Sequence, residues 1–423
     1  MALSVRTIKE GLESIMMDKP ATSSFSLDYC LNLQPKTIHF LRRIFQMLCS
    51  HYNTRDMHNQ YIEYDGIPDS STHSHRAYYF PPHIQDHISH TDCKTFQYKL
   101  PIRGREVTID LVCFKEETHI EMEDNQKIIT LIHTWLLIAT DRIPPTCSRS
   151  MHIYLYFTDF KKVFPTSKEK DNSISVNHVN SAYTTSCAED TSIVIYRKEE
   201  WFKVFIHETF HSLGLDFSHR DLDHSTFVDS HFNFQDVNYK VFESYCETWA
   251  RILNTCFSAF ATLPKTSMRF NELNFMEYCT HFSYYMFYEI LFSSMQMQKT
   301  LSHINIKYDD IIKRKHNDRM CNYNETTSVL SYYIFTGILM NNFQEFIDWC
   351  STNHKKGSSI FQFDDSNSKI ISYCNLIYRC STRKHITDVL SIYNQSKYKS
   401  KHTSFMMTYI PGPTEEHTIR IIV

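Results

Sequence analysis

Apolar positions recur at helical spacing near the start of the chain, over residues 5–17 and 37–50. The second run places Ile38, Leu41, Ile44, Phe45 and Leu48 on one side. Residues 53–90 are polar, rich in His, Asp and Pro, and read as long loops. The pattern then changes period: residues 96–103 and 106–114 alternate or run apolar around Gly104, which predicts a β-hairpin. A strongly apolar helix is expected over 125–141, stopped by Pro144-Pro145, followed by a strand at 152–157. Residues 176–185 and 193–196 predict two further strands. Beyond Ala261 the spacing is mostly helical, with long runs at 272–299 and 327–350.

Between the last strand and this helical half lies the stretch EEWFKVFIHETFHSLGLDFSH, residues 199–219. Phe202, Ile206, Phe210 and Leu213 form a buried stripe, Glu199 and Glu200 suit a first turn, and Gly214 stands where a left-handed cap would end the helix. His207, Glu208 and His211 make an HExxH motif. Positions i and i+4 of a helix lie about 40° apart around its axis, so both imidazoles point one way. Two neutral imidazoles so placed suit one Zn²⁺, and Glu208 then stands where it can take a proton from a water polarised by the metal.

A catalytic zinc needs a third protein ligand. In the HExxHxxGxxH pattern it would fall at 217, which is Phe217, with Asp216 and His219 nearby. A second candidate is the helix VFESYCETWARILN, residues 241–254, whose stripe runs through Phe242, Tyr245, Trp249, Ile252 and Cys256. Beside that stripe stand Glu243 and Glu247, one turn apart. Two like charges so close repel unless a cation lies between them, although Lys240 and Arg251 are within reach for simple surface ion pairs. A third candidate is the loop 216–231, with Asp216, His219, Asp221, Asp223, His224, Asp229 and His231; it suits either a second metal or plain solvation.

The run HETFHSLGLDFS followed by FESYCETWA resembles gluzincin-type zincin metallopeptidases, and is similar to uncharacterised zincin-like proteins of large DNA viruses. The likeness spans roughly 176–254. It implies an α+β, mainly helical fold: a zincin-like core with a small sheet, the HExxH helix and a largely helical C-terminal half. It also implies one catalytic zinc on His207, His211 and Glu243, with Glu247 accepting a hydrogen bond from a ligand imidazole. Glu247 is a departure, since many gluzincins carry Asp there. Asn180, Ser181 and Ala182 are the candidate edge strand for peptide substrate, and Tyr332, Tyr333 or His281 the candidate oxyanion donor.

Composition narrows the alternatives. With 423 residues, 42% hydrophobic and 14% aromatic, the chain can bury a large core, and a formal charge of −3 gives no pull toward nucleic acid. Only 7 glycines occur, with no dinucleotide or Walker phosphate loop. The 13 cysteines lack a CxxC pair and suit free thiols in a reducing compartment. No run is long enough to span a bilayer and residues 1–17 lack a signal-peptide core, so an intracellular, soluble protein is expected. The mildly basic tail 383–402, with Tyr393 and Tyr398, reads as solvated surface. Three regions are expected: an N-terminal helical and loop region, 1–90; the metallopeptidase core, 91–260; and a helical region packed on it, 261–423. The expected partner is a peptide or protein substrate. The alternatives are a catalytically silent structural or interaction module, and, weakest, a protease acting on protein–DNA adducts.

Overall fold

The computed structural model describes residues 30, 32–52, 60–68, 78–114, 122–165, 174–220, 231–232, 240–312, 326–395 and 404–414. Residues 5–17, Asp221, Asp223, His224, Asp229 and Tyr398 lie outside them. The fold is mixed α and β, with more helix than strand, around one open six-stranded sheet.

After α1 (Pro35–His51) the chain enters β1 (Ile62–Asp65), α2 (Pro82–His90), β2 (Cys93–Ile102) and β3 (Arg105–Phe114). β1, β2 and β3 pair antiparallel. The β2–β3 hairpin forms as expected. Its two-residue turn, Arg103-Gly104, holds both φ angles positive, matching the twist of the flanking strands. Helix α3 (Met122–Ala139) then crosses to β4 (Ser150–Thr158), parallel to β3, and β6 (Asp190–Arg197) lies parallel to β4. β5 (Ala182–Thr184) pairs antiparallel outside β6, giving the order β1-β2-β3-β4-β6-β5.

β4 and β6 read as nearly continuous apolar runs because both faces are covered. Ile153, Leu155, Ile193 and Ile195 face the main helical core. Tyr154, Tyr156, Val194 and Tyr196 face a smaller cluster closed by Phe80, Ile84 and Ile88 of the α2 region. The helix α5 (Trp201–Ser212) follows β6 directly and is buried along its whole length. It packs on α6 (Val241–Ala261), against which α7 (Glu272–His303) also lies. Downstream come α8 (Tyr308–Ile312), a π-helical turn (Leu330–Phe335), α9 (Thr336–Met340), α10 (Phe343–Asn353), α11 (Asn367–Ser381) and α12 (Lys384–Gln395).

Four expectations need correction. The polar stretch 53–90 holds β1 and α2; Ile84 and Ile88, one turn apart, suffice to seat that helix on the sheet. Residues 176–185 are not one strand but α4 (Val176–Val179) followed by β5. Ser175 and His178 close a capping box, and the buried Arg197 guanidinium draws in the carbonyls of Asn177 and Asn180, which a strand would have spent on pairing. The run 327–350 is broken into the π turn, α9 and α10. Cys147 and Cys187 form a disulfide, Cα atoms 4.9 Å apart, whereas ten other described cysteines are free. Among the described residues no helix is long and apolar enough to cross a membrane.

Candidate metal centre

The HExxH helix is held rigidly at both ends. At its start Glu200 takes a left-handed φ of 61°, and its buried carboxylate accepts Lys162 Nζ (2.8 Å) and the backbone N–H of Met407 and Thr408. At its end Leu215 N donates to Phe210 O (2.8 Å) and Gly214 N to His211 O (3.1 Å), a Schellman closure around Gly214 at φ +65°. A Cβ at 214 would stand 3.2 Å from Cys147 Sγ and 3.3 Å from Cys187 Cβ, crowding the disulfide on top of the strain of a positive φ. Midway, Thr209 Oγ1 accepts the Trp135 indole N–H at 2.7 Å.

This rigid helix sets His207 and His211 opposite Glu243, which α6 projects from its first turn. His207 Nε2 lies 3.1 Å from Glu243 Oε2, His211 Nε2 lies 3.3 Å from it, and the two Nε2 atoms are 3.2 Å apart. Zinc bonds of about 2.0–2.1 Å at tetrahedral angles separate neighbouring ligand atoms by about 3.3–3.4 Å. The three atoms therefore form one face of such a tetrahedron. Their chemistry agrees. His211 Nδ1 is 2.7 Å from Asp216 Oδ2, and His207 Nδ1 is 3.1 Å from Glu247 Oε2, though off the line of the ring N–H. A proton on each Nδ1 leaves both Nε2 lone pairs turned toward the Glu243 carboxylate. Three such ligand atoms, all buried and close together, could hold a metal ion.

The electrostatics show how strongly Glu243 draws positive charge to this point, here onto the imidazoles themselves. Burial opposes the charge of His207, but Glu243 and Glu247 outweigh it and raise the imidazole's pKa. Burial likewise opposes the charge of His211, and the Cys246 sulfur, Asp216 and Glu243 hold it well above its ordinary value. Burial also works against the Glu243 carboxylate, yet the two imidazoles hold it far below the usual range. Glu208 differs: burial raises it, and no cation within hydrogen-bond reach offsets that burial among the described residues.

Glu247 is no surface carboxylate. It is 1% exposed and accepts Lys203 Nζ on both oxygens (2.9 and 3.0 Å) and Arg251 Nε (2.9 Å). The Arg251 pair weighed from the sequence thus exists, but inside the protein. Lys240 makes no such pair with Glu243; its ammonium lies 6.0 Å over the Tyr79 ring.

The proposed oxyanion donors part company. Tyr332, in the π-helical turn, lies with its ring 5.9 Å from that of His207. Burial, together with Glu243, Glu208 and Glu247, keeps its phenol protonated. Tyr333 points away, donating to Phe405 O at 2.7 Å with the two rings stacked. His281 is occupied by Thr262 Oγ1 at 2.8 Å on α7. Of the expected edge-strand residues only Ala182 lies in β5, with Asn180 and Ser181 just before it, and all three line a cavity with His207, Glu208, Lys203, Lys162, Tyr332 and Met407. Of the loop candidates, His219 forms an exposed pair with Asp365, and His231 packs its ring on Tyr378.

Asp216 has a role that the spacing does not reveal. The Schellman turn reverses the chain after Gly214, returning a side chain two residues on to the imidazole five residues back. Cys246 completes that corner, 3.5 Å from Asp216 Oδ2. No protein-family model matches this chain, and no curated protein or solved structure does either.

Proposed function

We propose that this chain is a gluzincin-type zinc metallopeptidase that holds one zinc ion on His207, His211 and Glu243. The observation that carries the reading is the triangle of buried lone pairs, 3.1–3.3 Å on a side, with Glu208 one residue from a ligand and left unspent as one. Zinc in such a site is a Lewis acid that lowers the pKa of water toward about 7. Glu208, raised by burial, is suited to accept a proton from the attacking water and deliver it to the leaving amine. The Tyr332 phenol stands beside the ligands as a hydrogen-bond donor for the developing oxyanion. Asp216 and Glu247 fix the imidazoles. The β5 edge beside Glu208 offers backbone to an extended peptide, which would add as a further strand.

A second reading, a zinc that only stabilises a structural or interaction module, draws on the burial of all three ligands. The carboxylate Glu208 separates the two, since a purely structural site has no use for it. Glu208→Gln should keep zinc and lose peptide hydrolysis by about 10²–10⁴-fold. Zinc-loaded wild type that cleaves no member of a broad peptide library would favour the structural reading.

A further inference from the structure

The cavity beside His207 and Glu208 is lined by more cationic chemistry than a peptide backbone requires. Lys162 and Lys203 both border it, and both are buried, 1% and 2% exposed. In the ion-paired network behind it, Lys162 pairs with Glu200, and Lys203 and Arg251 share Glu247, while Glu208 stands in the cavity wall beside them. The neighbouring carboxylate Glu289 accepts from Thr408 Oγ1 and from the backbone N–H of Tyr409 and Ile410 on Oε2, and its buried Oε1 has no hydrogen-bond partner.

The donors themselves are incompletely used. Lys203 Nζ gives two contacts to Glu247 and turns its third toward Met407 Sδ at 3.4 Å, a weak acceptor. Lys162 Nζ donates to Glu200 Oε2, so among the described residues two of its three N–H bonds have no acceptor. Ser181 Oγ, on the same cavity wall, is buried with no hydrogen-bond partner. Leaving buried donors unmade is costly, and an acceptor arriving from outside recovers that cost.

We infer that this cavity, of about 40 Å³, is a subsite for a substrate carboxylate, recognised by Lys162 and Ser181 with Lys203 behind them. The inference rests on the peptidase reading and narrows its substrate class. The carboxylate is either an acidic side chain flanking the scissile bond or the terminal carboxylate of the peptide. Glu247 does not repel it, being neutralised by Lys203 and Arg251.

The test is binding of dipeptide hydroxamates to the zinc-loaded full chain by calorimetry. Four probes are compared: a Glu side chain, its Gln counterpart, and a Leu residue ending in a free carboxylate or in an amide. A carboxylate probe should bind about 10-fold or more tighter than its neutral counterpart. The Glu/Gln pair reports a side-chain source and the Leu pair a terminal one. Ser181→Ala should lower that preference about 3-fold or more. Lys162→Met combined with Glu200→Gln, which leaves no lone buried charge and keeps an acceptor for Met407 and Thr408, should abolish it. Equal binding within both pairs would overturn the subsite while leaving the metal site standing. Failure of all four probes to bind the zinc-loaded chain would instead sink the peptidase reading, and the subsite with it.

Discussion

Replacing Glu247 with Ala removes a carboxylate that three groups share: Lys203, Arg251 and the ring of His207. The side chains of Lys203 and Arg251 are 2% and 1% exposed, so neither cation can turn to water once its partner is gone. Breaking a buried ion pair from one side costs about 3–5 kcal/mol. With an m-value of about 3 kcal/mol/M, the urea midpoint falls on the order of 1 M. The imidazole also loses the carboxylate that stands 3.1 Å from its Nδ1, and zinc affinity should drop about 10–100-fold. The two effects separate in the double variant Lys203→Met with Glu247→Met. That variant removes one orphaned cation, so stability recovers in part, while zinc affinity stays low because His207 still lacks its partner. Urea denaturation followed by tryptophan fluorescence and zinc competition against a chromogenic chelator read the two independently. A Glu247→Ala midpoint within about 0.2 M of wild type, with zinc affinity within about 3-fold, would refute the reasoning. Glu247 would then be a carboxylate that neither supports the fold nor positions a ligand.

Other expectations follow from the same geometry. Asp216→Ala should weaken zinc about 10–100-fold by freeing His211, and chelator competition showing no change would deny it that role. Thr209→Val keeps the shape but orphans the buried Trp135 indole N–H, and should cost about 1–3 kcal/mol in urea denaturation; a loss below about 0.5 kcal/mol would contradict this. Burial pushes the His354 pKa down from 6.5 to about 4, so the folded protein holds this ring neutral. The unfolded chain takes up the proton first as pH falls. The contribution is therefore complete above about pH 6.5 and is lost toward pH 4, about 3 kcal/mol in all. Urea midpoints measured from pH 7 to 4.5 should fall more steeply in wild type than in His354→Gln. Parallel slopes would remove His354 from the balance.

What was legible in the sequence was carried by local chemistry. The HExxH helix, its apolar stripe and the glycine at 214 are all written within twenty residues, and Glu243 and Glu247 share one face of one amphipathic helix. The hairpin turn likewise needs only Gly104 and its neighbour. What escaped depends on partners distant in the chain. The carbonyls of Asn177 and Asn180 are claimed by Arg197, which breaks the expected strand. Cys147 and Cys187 meet across 40 residues behind Gly214, with no motif to announce them. Helix α2 carries only two buried apolar residues, too few for a periodic signal. Tyr332 and Tyr333 are adjacent and alike in sequence, and the π-helical turn turns one toward the site and the other onto Phe405.

The most direct measurement is the zinc content of purified protein, by elemental analysis, in wild type and in Glu243→Ala. Close contact among two imidazole nitrogens and one carboxylate oxygen predicts about one zinc per chain in wild type and its loss in the variant. Wild type that takes up no zinc when zinc is supplied, or a Glu243→Ala protein that keeps it at undiminished affinity, would contradict the assignment.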